Sequence, residues 1–475
     1  MRVLAVASEL YPLMKTGGLA DVTGTLPLAL QTLGIKVRTL IPGYPAALRG
    51  LGPPAAVYEY GSARILAGSV NGLEVLLLDA PELFDRPGGP YGDPAGVDWP
   101  DNWRRFAALS KCGADIAAGH LRDWQPDLVH VHDWQAGLTL AYLRHGPVPA
   151  MPAVMTVHNL AFQGQFPPSI FPQLGLPQSA FSVEGAEYYG NVCYLKAGLR
   201  YSNVITTVSP SYAQEIRTPA FGMGLEGLLN ARADVLHGIV NGIDTEVWDP
   251  GSDLDLEATY SSRTLQRRKK NREAVERRFV LEGDDSPLFC VISRLTFQKG
   301  TDMVAAVADD LVAAGGKLAV LGSGERAQEA ALLAAAARNP GRVGVIIGYE
   351  ESLSHLLQGG ADAILVPSRF EPCGLTQLCA LRYGCIPLVA RTGGLADTVI
   401  DANDAALAAG VATGFQFGPL SSGSLRQALG RAFEVFRRPK DWAAMQRQAM
   451  KSDVSWDTSA ARYAELYRSL LPEQS

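Results

Sequence analysis

The sequence predicts an α/β protein made of two doubly wound domains. Short runs of β-branched and other apolar residues alternate with helix-length segments along almost the whole chain. Continuous apolar strands separated by helices are typical of parallel sheets that are covered on both faces. The 475 residues are enough for two such sheets with separate cores. A cluster of Gly, Asp and Pro near 240–250 divides the two series of runs.

The first series of runs predicts an amino-terminal domain, residues 1–243. The opening apolar run is short and is followed by Glu9 and Lys15 with no small-residue cleavage site, so we interpret it as a first strand rather than as a signal peptide. Helix-length segments at 101–120 and 136–144 lie between later runs. The predicted strands are VLAVAS, KVRTLIP, ARILAG, LEVLLLDA, DLVHVH, AVMTVH and NVITTVS.

The second series predicts a carboxyl-terminal domain, residues 244–455, and a terminal helix lies in 456–475. The basic stretch TLQRRKKNREAVERRF comes just after the seam, and we expect a helix whose charges face water. Helical segments at 300–314, 325–338, 351–359 and 374–384 separate the strands. The predicted strands are PLFCVIS, KLAVLG, VGVIIG, DAILVPS and CIPLVA.

Composition narrows the possible partners. The net charge is −6, which argues against wholesale binding to nucleic acid or to an anionic membrane. No apolar run approaches the ~18 residues that a membrane span needs. The six cysteines show no metal-binding spacing such as C-x2-C, so we expect reduced thiols that pack in the interior.

One hexapeptide, TGGLAD, occurs twice. It lies in KTGGLADV at 15–22 and in RTGGLADT at 391–398, each time after a predicted strand and at the start of a helix. A Gly-Gly pair allows a tight turn and close approach of a ligand, and a helix start attracts anions. The repeat is either one loop geometry used in two similar domains or a ligand loop in each. The accompanying cations, Lys15 and Arg391, favour ligand loops, although the role of Arg391 stays open.

Polar residues follow two strands of the first domain, where open α/β sheets place their ligands. Amide, carboxylate and aromatic groups together at such strand ends resemble a sugar-binding wall. The alternative is a metal site formed by His130, His132, Asp133 and His158, but the chain offers no clear open tetrahedral set of ligands. The residues are His132, Asp133 and Trp134 in VHVHDWQAG, and His158, Asn159 and Gln163 in TVHNLAFQG.

Two stretches of the second domain combine cations, a carboxylate and a helix start. Arg294 and Lys299 in ISRLTFQKG follow a strand and suit a diphosphate, since Arg offers a planar fork and Lys a point charge. Glu371 in PSRFEPCGLTQL precedes a predicted helix start at 374–376 whose N–H groups suit an anion. A carboxylate beside an anion site is useful when it faces developing positive charge while a phosphate departs.

In order along the chain, these motifs resemble those of the bacterial glycogen synthases and plant starch synthases. The resemblance runs from Met1 to about Leu470, although SRL with Lys and E-P-x-G-L also occur in many other nucleotide-sugar glycosyltransferases. It implies the GT-B fold, with two facing Rossmann-like domains, an interdomain cleft and a final helix that crosses back to the first domain. The motifs are KTGGLADV, HDWQAG, TVHN, NGID, SRLTFQKG, EPCGLTQL and RTGGLADT.

The resemblance implies transfer of glucose from ADP-glucose to the non-reducing end of an α-1,4-glucan such as glycogen, with retention of configuration and release of ADP. The missing transit-like leader suggests a bacterial cytoplasm, and we expect no cofactor and no obligatory metal. The catalytic set that the resemblance implies is Asp133, His158, Arg294, Lys299 and Glu371. The substrate-binding set is Lys15, Gly17, Gly18, Asp21, Trp134, Asn159, Asn241, Tyr349, Cys373, Gly374, Leu375 and Thr376.

The resemblance also suggests individual roles. Arg294 and Lys299 neutralise the diphosphate, and Glu371 holds the donor glucose near its anomeric carbon. Tyr349 stacks on adenine, a role for which Tyr91 is a weaker match. The remaining roles are the donor loop for Lys15, Gly17, Gly18 and Asp21, donor-glucose contacts for His158 and Asn159, the acceptor floor for Asp133 and Trp134, and the phosphate-binding helix start for 374–376.

Three missing features bear on the mechanism, the donor and metal use, and one of them, the E-x7-E pair, is a departure from related transferases. No second carboxylate pairs convincingly with Glu371, so a same-face substitution is favoured over a covalent intermediate. Many GT-B enzymes carry E-x7-E, whose second Glu grips the ribose, but Cys379 stands at that position here. Asp253-Leu-Asp255 lies in a loop rather than at a strand end, so we expect no metal motif.

Three other functions are open to test. A glucan phosphorylase shares the two-domain plan but needs a lysine bound to pyridoxal phosphate. A degenerate transferase that only binds glucan conflicts with the presence of Arg294, Lys299 and Glu371. A nicotinamide-dependent dehydrogenase is disfavoured because G-x-G-x-x-G is absent after the first strand.

Overall fold

The computed structural model describes residues 1–147 and 151–471 and divides the chain into two compact units. The first unit contains Met1–Asn241 and the chain from Trp456 onward, and the second contains Gly242–Ser455. The last four residues of the segment predicted as a terminal helix, 472–475, lie outside the described residues.

The central strands of the first unit are largely buried apolar runs, and the strands at both edges of the main sheet are more exposed. The strands are β1 (Arg2–Val6), β2 (Lys36–Pro42), β3 (Ala56–Tyr60), β4 (Ala63–Val70), β5 (Leu73–Asp79), β6 (Leu128–His132), β7 (Ala153–Val157), β8 (Gln165–Phe166), β9 (Glu187–Tyr188), β10 (Asn191–Cys193), β11 (Val204–Thr207) and β12 (Leu236–Gly238). Its helices up to the seam are α1 (Gly18–Thr32), α2 (Pro45–Leu51), α3 (Pro81–Phe84), α4 (Asn102–Ala117), α5 (Asp133–His145), α6 (Tyr194–Tyr201), α7 (Pro210–Glu215) and α8 (Glu226–Ala231).

The main sheet of the first unit has the order β12-β11-β7-β6-β1-β2-β5-β4-β3. All pairings from β12 to β5 are parallel, but β4 and β3 pair antiparallel. The sequence predicts parallel strands, and this antiparallel edge departs from that prediction. The loops that join β3 to β4 and β4 to β5 have two residues each, Gly61-Ser62 and Asn71-Gly72, which is too short for a parallel crossover. A small antiparallel sheet, β8-β10-β9, accompanies the main one.

The second unit is a six-stranded parallel sheet in the order β15-β14-β13-β16-β17-β18. Its strands are β13 (Leu288–Ile292), β14 (Lys317–Gly322), β15 (Val343–Ile347), β16 (Ala363–Val366), β17 (Ile386–Ala390) and β18 (Phe415–Phe417). Its helices are α9 (Arg268–Phe279), α10 (Thr301–Ala313), α11 (Arg326–Arg338), α12 (Glu351–Gly360), α13 (Thr376–Tyr383), α14 (Gly393–Thr398), α15 (Asp404–Ala408), α16 (Ser422–Phe436) and α17 (Pro439–Ala449).

Local sequence signals explain several helix ends. Ser421 caps α16 by accepting a hydrogen bond from the N–H of Ser424 at 3.1 Å. Gly384 ends α13 with φ 64°, a left-handed value that glycine adopts at little cost. Among the described residues, no helix is both long and apolar enough to cross a membrane.

The last helix, α18 (Asp457–Ser469), packs on the first unit. Tyr463 and Tyr467 are fully buried in a cluster with Val3 and Val22. The hydroxyl of Tyr467 also lies 2.7 Å from Nδ1 of His130, in the middle of β6. This helix therefore completes the core behind the central strands of the unit.

The expectation that the charges of the basic stretch after the seam face water is wrong for Arg268 and Glu276, which are both buried. Arg268, the first residue of α9, is buried and donates hydrogen bonds to four backbone carbonyls, those of Gln358, Gly359, Ala361 and Gly384. Arginine can be buried when its five N–H groups are satisfied in this way. Most other charged residues of the stretch are exposed.

Candidate active site

In each unit the strand order reverses next to the segments that the sequence marks for function. The reversal lies between β1 and β6 in the first unit and between β13 and β16 in the second. Open α/β sheets bind ligands at the carboxyl ends of the strands that flank such a reversal. Glu9 and Lys15 follow β1, Asp133 follows β6, and the loop with Arg294 and Lys299 follows β13.

The second unit brings Lys299 and Glu371 into direct contact. Nζ of Lys299 lies 2.6 Å from Oε2 of Glu371. The hydroxyl of Ser368 donates to the same carboxylate oxygen at 2.9 Å. Glu371 is buried and Lys299 is partly buried, so the pair is fixed and still reachable. The loops after β13 and β16 therefore meet, as the sequence predicts for strand ends.

Arg369, which was not selected from the sequence, joins the loops after β13 and β16 through hydrogen bonds. The backbone N–H of Arg369 donates to the carbonyl of Gln298 at 2.8 Å. Its guanidinium donates to the carbonyl of Phe297 at 2.6 Å and to both carboxylate oxygens of Asp302 at 2.7 Å. The bidentate pair with Asp302 fixes its direction. Arg369 thus sets the distance between Lys299 and Glu371.

The helix start beyond Glu371 has the geometry of an anion site. Gly374 has φ 75°, and α13 begins at Thr376 after Leu375. The side-chain amide of Gln377 donates to the carbonyls of Cys373 and Gly374 at 2.9 Å each, which fixes the turn. The side chain of Cys373 is buried. The backbone N–H groups of the turn and the first helical turn are therefore the groups that can meet an anion.

The remaining predicted residues of the second unit are exposed. Arg294 is exposed, and among the residues that the structure describes no carboxylate forms an ion pair with it. Tyr349 follows β15 and is 66% exposed, with its hydroxyl 3.3 Å from Oε2 of Glu351. Both side chains can therefore reach a ligand without breaking a buried contact.

The second copy of TGGLAD supports the Glu371 loop from behind. The N–H of Gly394 donates to the carbonyl of Glu371 at 3.1 Å. A Cβ at Gly393 would lie 2.0 Å from that carbonyl, and one at Gly394 would lie 2.2 Å from the carbonyl of Cys373. Only glycine permits this approach, so the copy acts through its backbone. Arg391 is exposed, and its Nε donates to Gln416 at 3.1 Å.

The first copy of TGGLAD is arranged differently. Gly17 is exposed, and a Cβ added to it would meet nothing within 4 Å. The N–H and hydroxyl of Thr16 donate to the carboxylate of Glu9 at 2.5 and 2.6 Å. Lys15 pairs with Asp21 at 2.7 Å, and Gly18 begins α1. The glycines of this copy are thus open to an approaching ligand.

Glu9 is a second residue that the sequence analysis missed. It is only 3% exposed, and besides Thr16 it accepts a hydrogen bond from the hydroxyl of Tyr91 at 2.5 Å. Burial raises the pKa of Tyr91 well above its ordinary value, so this hydroxyl keeps its proton. The signal in the sequence is a lone glutamate directly after the first apolar strand, where a buried carboxylate needs partners.

Asp133 holds the next strand end in place. Its Oδ1 accepts the backbone N–H of His158 at 2.7 Å, and its own φ is 56°, a strained value for a residue with a side chain. Burial raises its pKa to about 7. The hydrogen bonds from the backbone of His158 and Asn159 lower the pKa, and the charge of Glu9 raises it. Asp133 therefore holds the backbone at His158 and has a pKa near neutrality.

Three buried histidines lie side by side at this edge. Nδ1 of His132 lies 3.0 Å from Nε2 of His158, and the rings of His130 and His132 are 4.1 Å apart. Burial lowers the pKa of His130 and of His158 to about 3 and that of His132 well below its ordinary value. All three are neutral imidazoles at neutral pH, which suits hydrogen bonds to hydroxyl groups.

The ring of Trp134 is mostly packed against other rings, whereas Asn241 has a hydrogen-bond acceptor that the protein does not satisfy. The ring of Trp134 packs against Phe106 at 5.0 Å and Phe166 at 5.7 Å, so most of it belongs to an aromatic cluster. Asn241 is buried, and within the described chain its Oδ1 has no hydrogen-bond partner. An unsatisfied buried acceptor is costly and is common where a ligand supplies the donor.

One cluster of possible metal ligands lies in the second unit. Single ligand atoms of Asp253, Asp255 and His355 lie within 4.8 Å of one another. Oδ2 of Asp253 already lies 2.8 Å from Nδ1 of His355 and accepts the hydroxyl of Tyr383 at 2.5 Å. The ring of His355 is stacked on Trp248 at 3.8 Å. Asp253 and His355 are thus part of a buried hydrogen-bond network, whereas Asp255 is exposed.

Comparisons with known proteins agree with this architecture. The family model of the starch synthase catalytic domain matches residues 2–231, and that of the glycosyl transferases group 1 matches residues 273–429. A glycogen synthase of Mesorhizobium japonicum is 60% identical over the full length of both chains. A glycogen synthase of Rhizobium leguminosarum bv. trifolii is 59% identical over 99% of each.

Solved structures give the same result. The catalytic domain of starch synthase IV from Arabidopsis thaliana, bound to ADP and acarbose, superimposes with a TM-score of 0.89 at 31% identity, over 98% of this chain and 99% of that chain. Sucrose-phosphate synthase from Thermosynechococcus elongatus shares the fold, with a TM-score of 0.59 at 16% identity over 99% of this chain and 98% of that one.

Proposed function

Since this chain belongs to the glycogen and starch synthase family of glycosyltransferases, we propose that it extends an α-1,4-glucan with glucose from ADP-glucose. The single observation that carries the assignment of the donor site is the contact between Lys299 and Glu371 at the strand reversal of the second unit. It supports a donor site because a cation that suits a phosphate lies beside a carboxylate that suits a sugar. ADP in the starch synthase complex supports adenine as the base.

The donor diphosphate is bound by the second unit. Lys299 supplies a point charge, Arg294 a planar fork, and the start of α13 a set of N–H groups. These groups stabilise the negative charge that collects on ADP as it leaves, so a separate general acid is not required. Tyr349, exposed after β15, offers a ring for the adenine to stack on.

Glu371 acts by position and charge. Its Oε2 is held by Lys299 and Ser368, so the carboxylate is fixed in position to face the sugar that carries the developing positive charge. The bond between C1 and the phosphate oxygen breaks, with its electron pair leaving on ADP. A glucan hydroxyl bonds to C1 from the same face, and its proton passes to the departing phosphate. The configuration at C1 is therefore retained.

The first unit supplies groups for sugar hydroxyls. His158 and Asn159 follow β7, and Asp133 fixes their backbone. Neutral imidazoles and amides bind hydroxyl groups without charge. Lys15 and the exposed glycines of the first TGGLAD copy contact the donor, and Asp133 with Trp134 marks the acceptor side. Asn241, with its unsatisfied Oδ1, accepts from a ligand hydroxyl.

No metal ion or cofactor takes part in this scheme, because two cations and a helix start already neutralise the diphosphate. Transfer should then continue in an excess of EDTA. We place the enzyme in the bacterial cytoplasm and assign it no nucleic-acid or membrane partner, as the bacterial relatives and the net charge of −6 favour.

The test is glucose transfer to glycogen with ADP-glucose and UDP-glucose side by side, with orthophosphate release and pyridoxal phosphate absorbance as checks on the phosphorylase alternative. We expect kcat/KM to be higher for ADP-glucose. A preference for UDP-glucose would overturn the choice of donor. No transfer from either donor by a folded protein would overturn the function.

A further inference from the structure

His132 and His158 connect two neighbouring strand ends through a hydrogen bond between their rings. His132 is the last residue of β6, and His158 follows β7 directly. The two strands are parallel, and His132 lies opposite Thr156 in their register. Nδ1 of His132 lies 3.0 Å from Nε2 of His158. His132 is 2% exposed and His158 is 9% exposed, so water has little access to this bond.

A third ring packs against His132 from the other side. The ring centroid of His130 lies 4.1 Å from that of His132, and the centroid of His158 lies 5.2 Å from it. His130 is itself fixed, because its Nδ1 lies 2.7 Å from the hydroxyl of Tyr467 and its Nε2 lies 2.6 Å from that of Thr156. The ring of His132 therefore lies between two other rings, which limits its orientations.

The bond between His132 and His158 fixes how protons are distributed over the two rings. Burial lowers the pKa of His158 to about 3 and that of His132 well below its ordinary value, so each ring is neutral and carries one proton. One nitrogen of a neutral imidazole donates and the other accepts. If His132 donates through Nδ1, His158 carries its own proton on Nδ1. If His158 donates through Nε2, His132 carries its own proton on Nε2. The two rings therefore share one tautomer.

The other ring nitrogen of His158, Nδ1, is the one that can meet a ligand. Within the described part of the chain, the side chain of His158 has no hydrogen-bond partner except His132. His158 lies at the carboxyl end of β7, where the sheet places its ligands. Nδ1 of His158 is therefore left for a sugar hydroxyl, as a donor in one shared tautomer and as an acceptor in the other.

We propose that His132 is a positioning residue for the transfer reaction, because it sets the tautomer of His158 and thereby whether Nδ1 of His158 donates to a sugar hydroxyl or accepts from it. The inference rests on the proposed function, in which His158 contacts the donor glucose. A sugar hydroxyl that already bonds to a second group has one role left, so only one form of His158 completes its hydrogen bonds. His132 is buried and acts through His158.

The tautomers can be observed in the protein without substrate. Proton–nitrogen correlation spectra of protein labelled with ¹⁵N in its histidines separate protonated from unprotonated ring nitrogens, and the chain has seven histidines. The signals lost in His132→Phe and in His158→Gln assign the two rings. We expect the same tautomer in both rings of the wild type. Opposite tautomers in the two rings would overturn the proposal.

Two variants of His132 and one control test the link between the rings. His132→Phe keeps a flat ring between His130 and His158 but removes the nitrogen that bonds to His158. His132→Asn keeps a polar group that can replace Nδ1. His120→Gln is the matched control, since His120 is exposed and its Nε2 lies 2.9 Å from the carbonyl of Glu59. The ring nitrogen signals of His158 should shift in His132→Phe and stay unchanged in His120→Gln. Unchanged signals in His132→Phe would overturn the proposal.

Initial rates of transfer to glycogen measure the consequence for the reaction. We expect kcat/KM for ADP-glucose to fall about 10-fold in His132→Phe, the equivalent of one hydrogen bond, and less than about 3-fold in His132→Asn. KM for glycogen should be unchanged in both variants, and His120→Gln should behave as wild type. Equal losses in His132→Phe and His132→Asn would overturn the proposal, because they would assign His132 a role in packing alone.

The two kinds of measurement separate this proposal from the proposed function. A shared tautomer that is lost in His132→Phe supports the link between the two rings even if ADP-glucose is not the donor. Opposite tautomers in an enzyme that transfers glucose from ADP-glucose overturn the proposal and leave the proposed function intact.

Discussion

The two copies of TGGLAD share six residues and perform different tasks. In the first copy, Thr16 donates to the carboxylate of Glu9, and Gly17 is open to solvent. In the second, Gly394 donates to the backbone carbonyl of Glu371, and both glycines are buried against that loop. The carboxylate of Glu371 therefore remains available to pair with Lys299.

The difference teaches that a short motif specifies a turn and a helix start, and that its surroundings specify its use. Exposed glycines allow a ligand to approach, whereas buried glycines allow another part of the chain to approach. We therefore expect substitutions in the first copy to weaken substrate binding. Substitutions in the second copy should lower stability and displace Glu371.

The largest expected effect is on the carboxylate that the second copy supports. Glu371→Gln should lower kcat about 10²- to 10³-fold, because the amide cannot stabilise developing positive charge. The melting temperature should change little, since the amide keeps the shape of the side chain. Initial rates of transfer to glycogen give the measurement.

Two results would contradict this role for Glu371. A kcat within threefold of wild type would remove it from the reaction. A glucosyl adduct on Glu371, trapped and identified by mass spectrometry, would make it a covalent nucleophile instead of an electrostatic group.

The next prediction compares the free energy of unfolding of one glycine variant in each copy. Gly394→Ala should lower the free energy of unfolding by about 3 kcal/mol, because its Cβ would lie 2.2 Å from the carbonyl of Cys373. Gly17→Ala is the matched variant, and it should change stability by less than about 1 kcal/mol, because that Cβ meets nothing within 4 Å. Urea unfolding provides both numbers, and equal losses would refute the contrast.

We expect the stability of the fold to depend on pH through Asp133, which follows β6. The pKa of Asp133 is raised to about 7, so the folded protein binds a proton that the unfolded chain has already released above about pH 4. Stability therefore falls as pH rises from about 4 to 7, and it levels off above that range. Asp133→Asn cannot titrate and keeps an acceptor for the N–H of His158.

Between pH 5 and pH 8 the wild type should lose roughly 2 kcal/mol of unfolding free energy relative to Asp133→Asn. Urea titrations of both proteins at the two pH values measure the change. A constant difference between the two proteins would show that Asp133 titrates at its ordinary pKa.

The smallest effect concerns the hydroxyl that joins the first copy to Glu9. Thr16→Val removes the donor at 2.6 Å and should destabilise the fold by about 1 to 2 kcal/mol, because Glu9 is buried. Thr32→Val removes an exposed hydroxyl near the end of α1 and should cost less than about 0.5 kcal/mol. Thermal unfolding compares the two, and a larger loss for Thr32→Val would contradict the assignment.

The sequence predicted the two α/β domains and the family, and both predictions are confirmed. The strand-end argument also placed Arg294, Lys299 and Glu371 at neighbouring loops. It succeeded because β-branched runs, glycine turns and helix starts are local signals. The roles of the individual site residues stay predictions.

What the sequence did not predict depends on contacts between distant segments. Arg369 reaches Asp302 across 67 positions, and Tyr91 reaches Glu9 across 82. No local pattern marks either pair. The antiparallel edge at β3 and β4 was within reach, since Asn71-Gly72 is a two-residue hairpin turn.

The account depends most on Lys299 as the cation for the donor diphosphate. Initial rates of transfer from ADP-glucose to glycogen should be measured for wild type, Lys299→Ala and the exposed control Lys440→Ala. We predict that kcat/KM falls about 100-fold or more in Lys299→Ala and is unchanged in Lys440→Ala. A folded Lys299→Ala variant with a rate within twofold of Lys440→Ala would contradict the account.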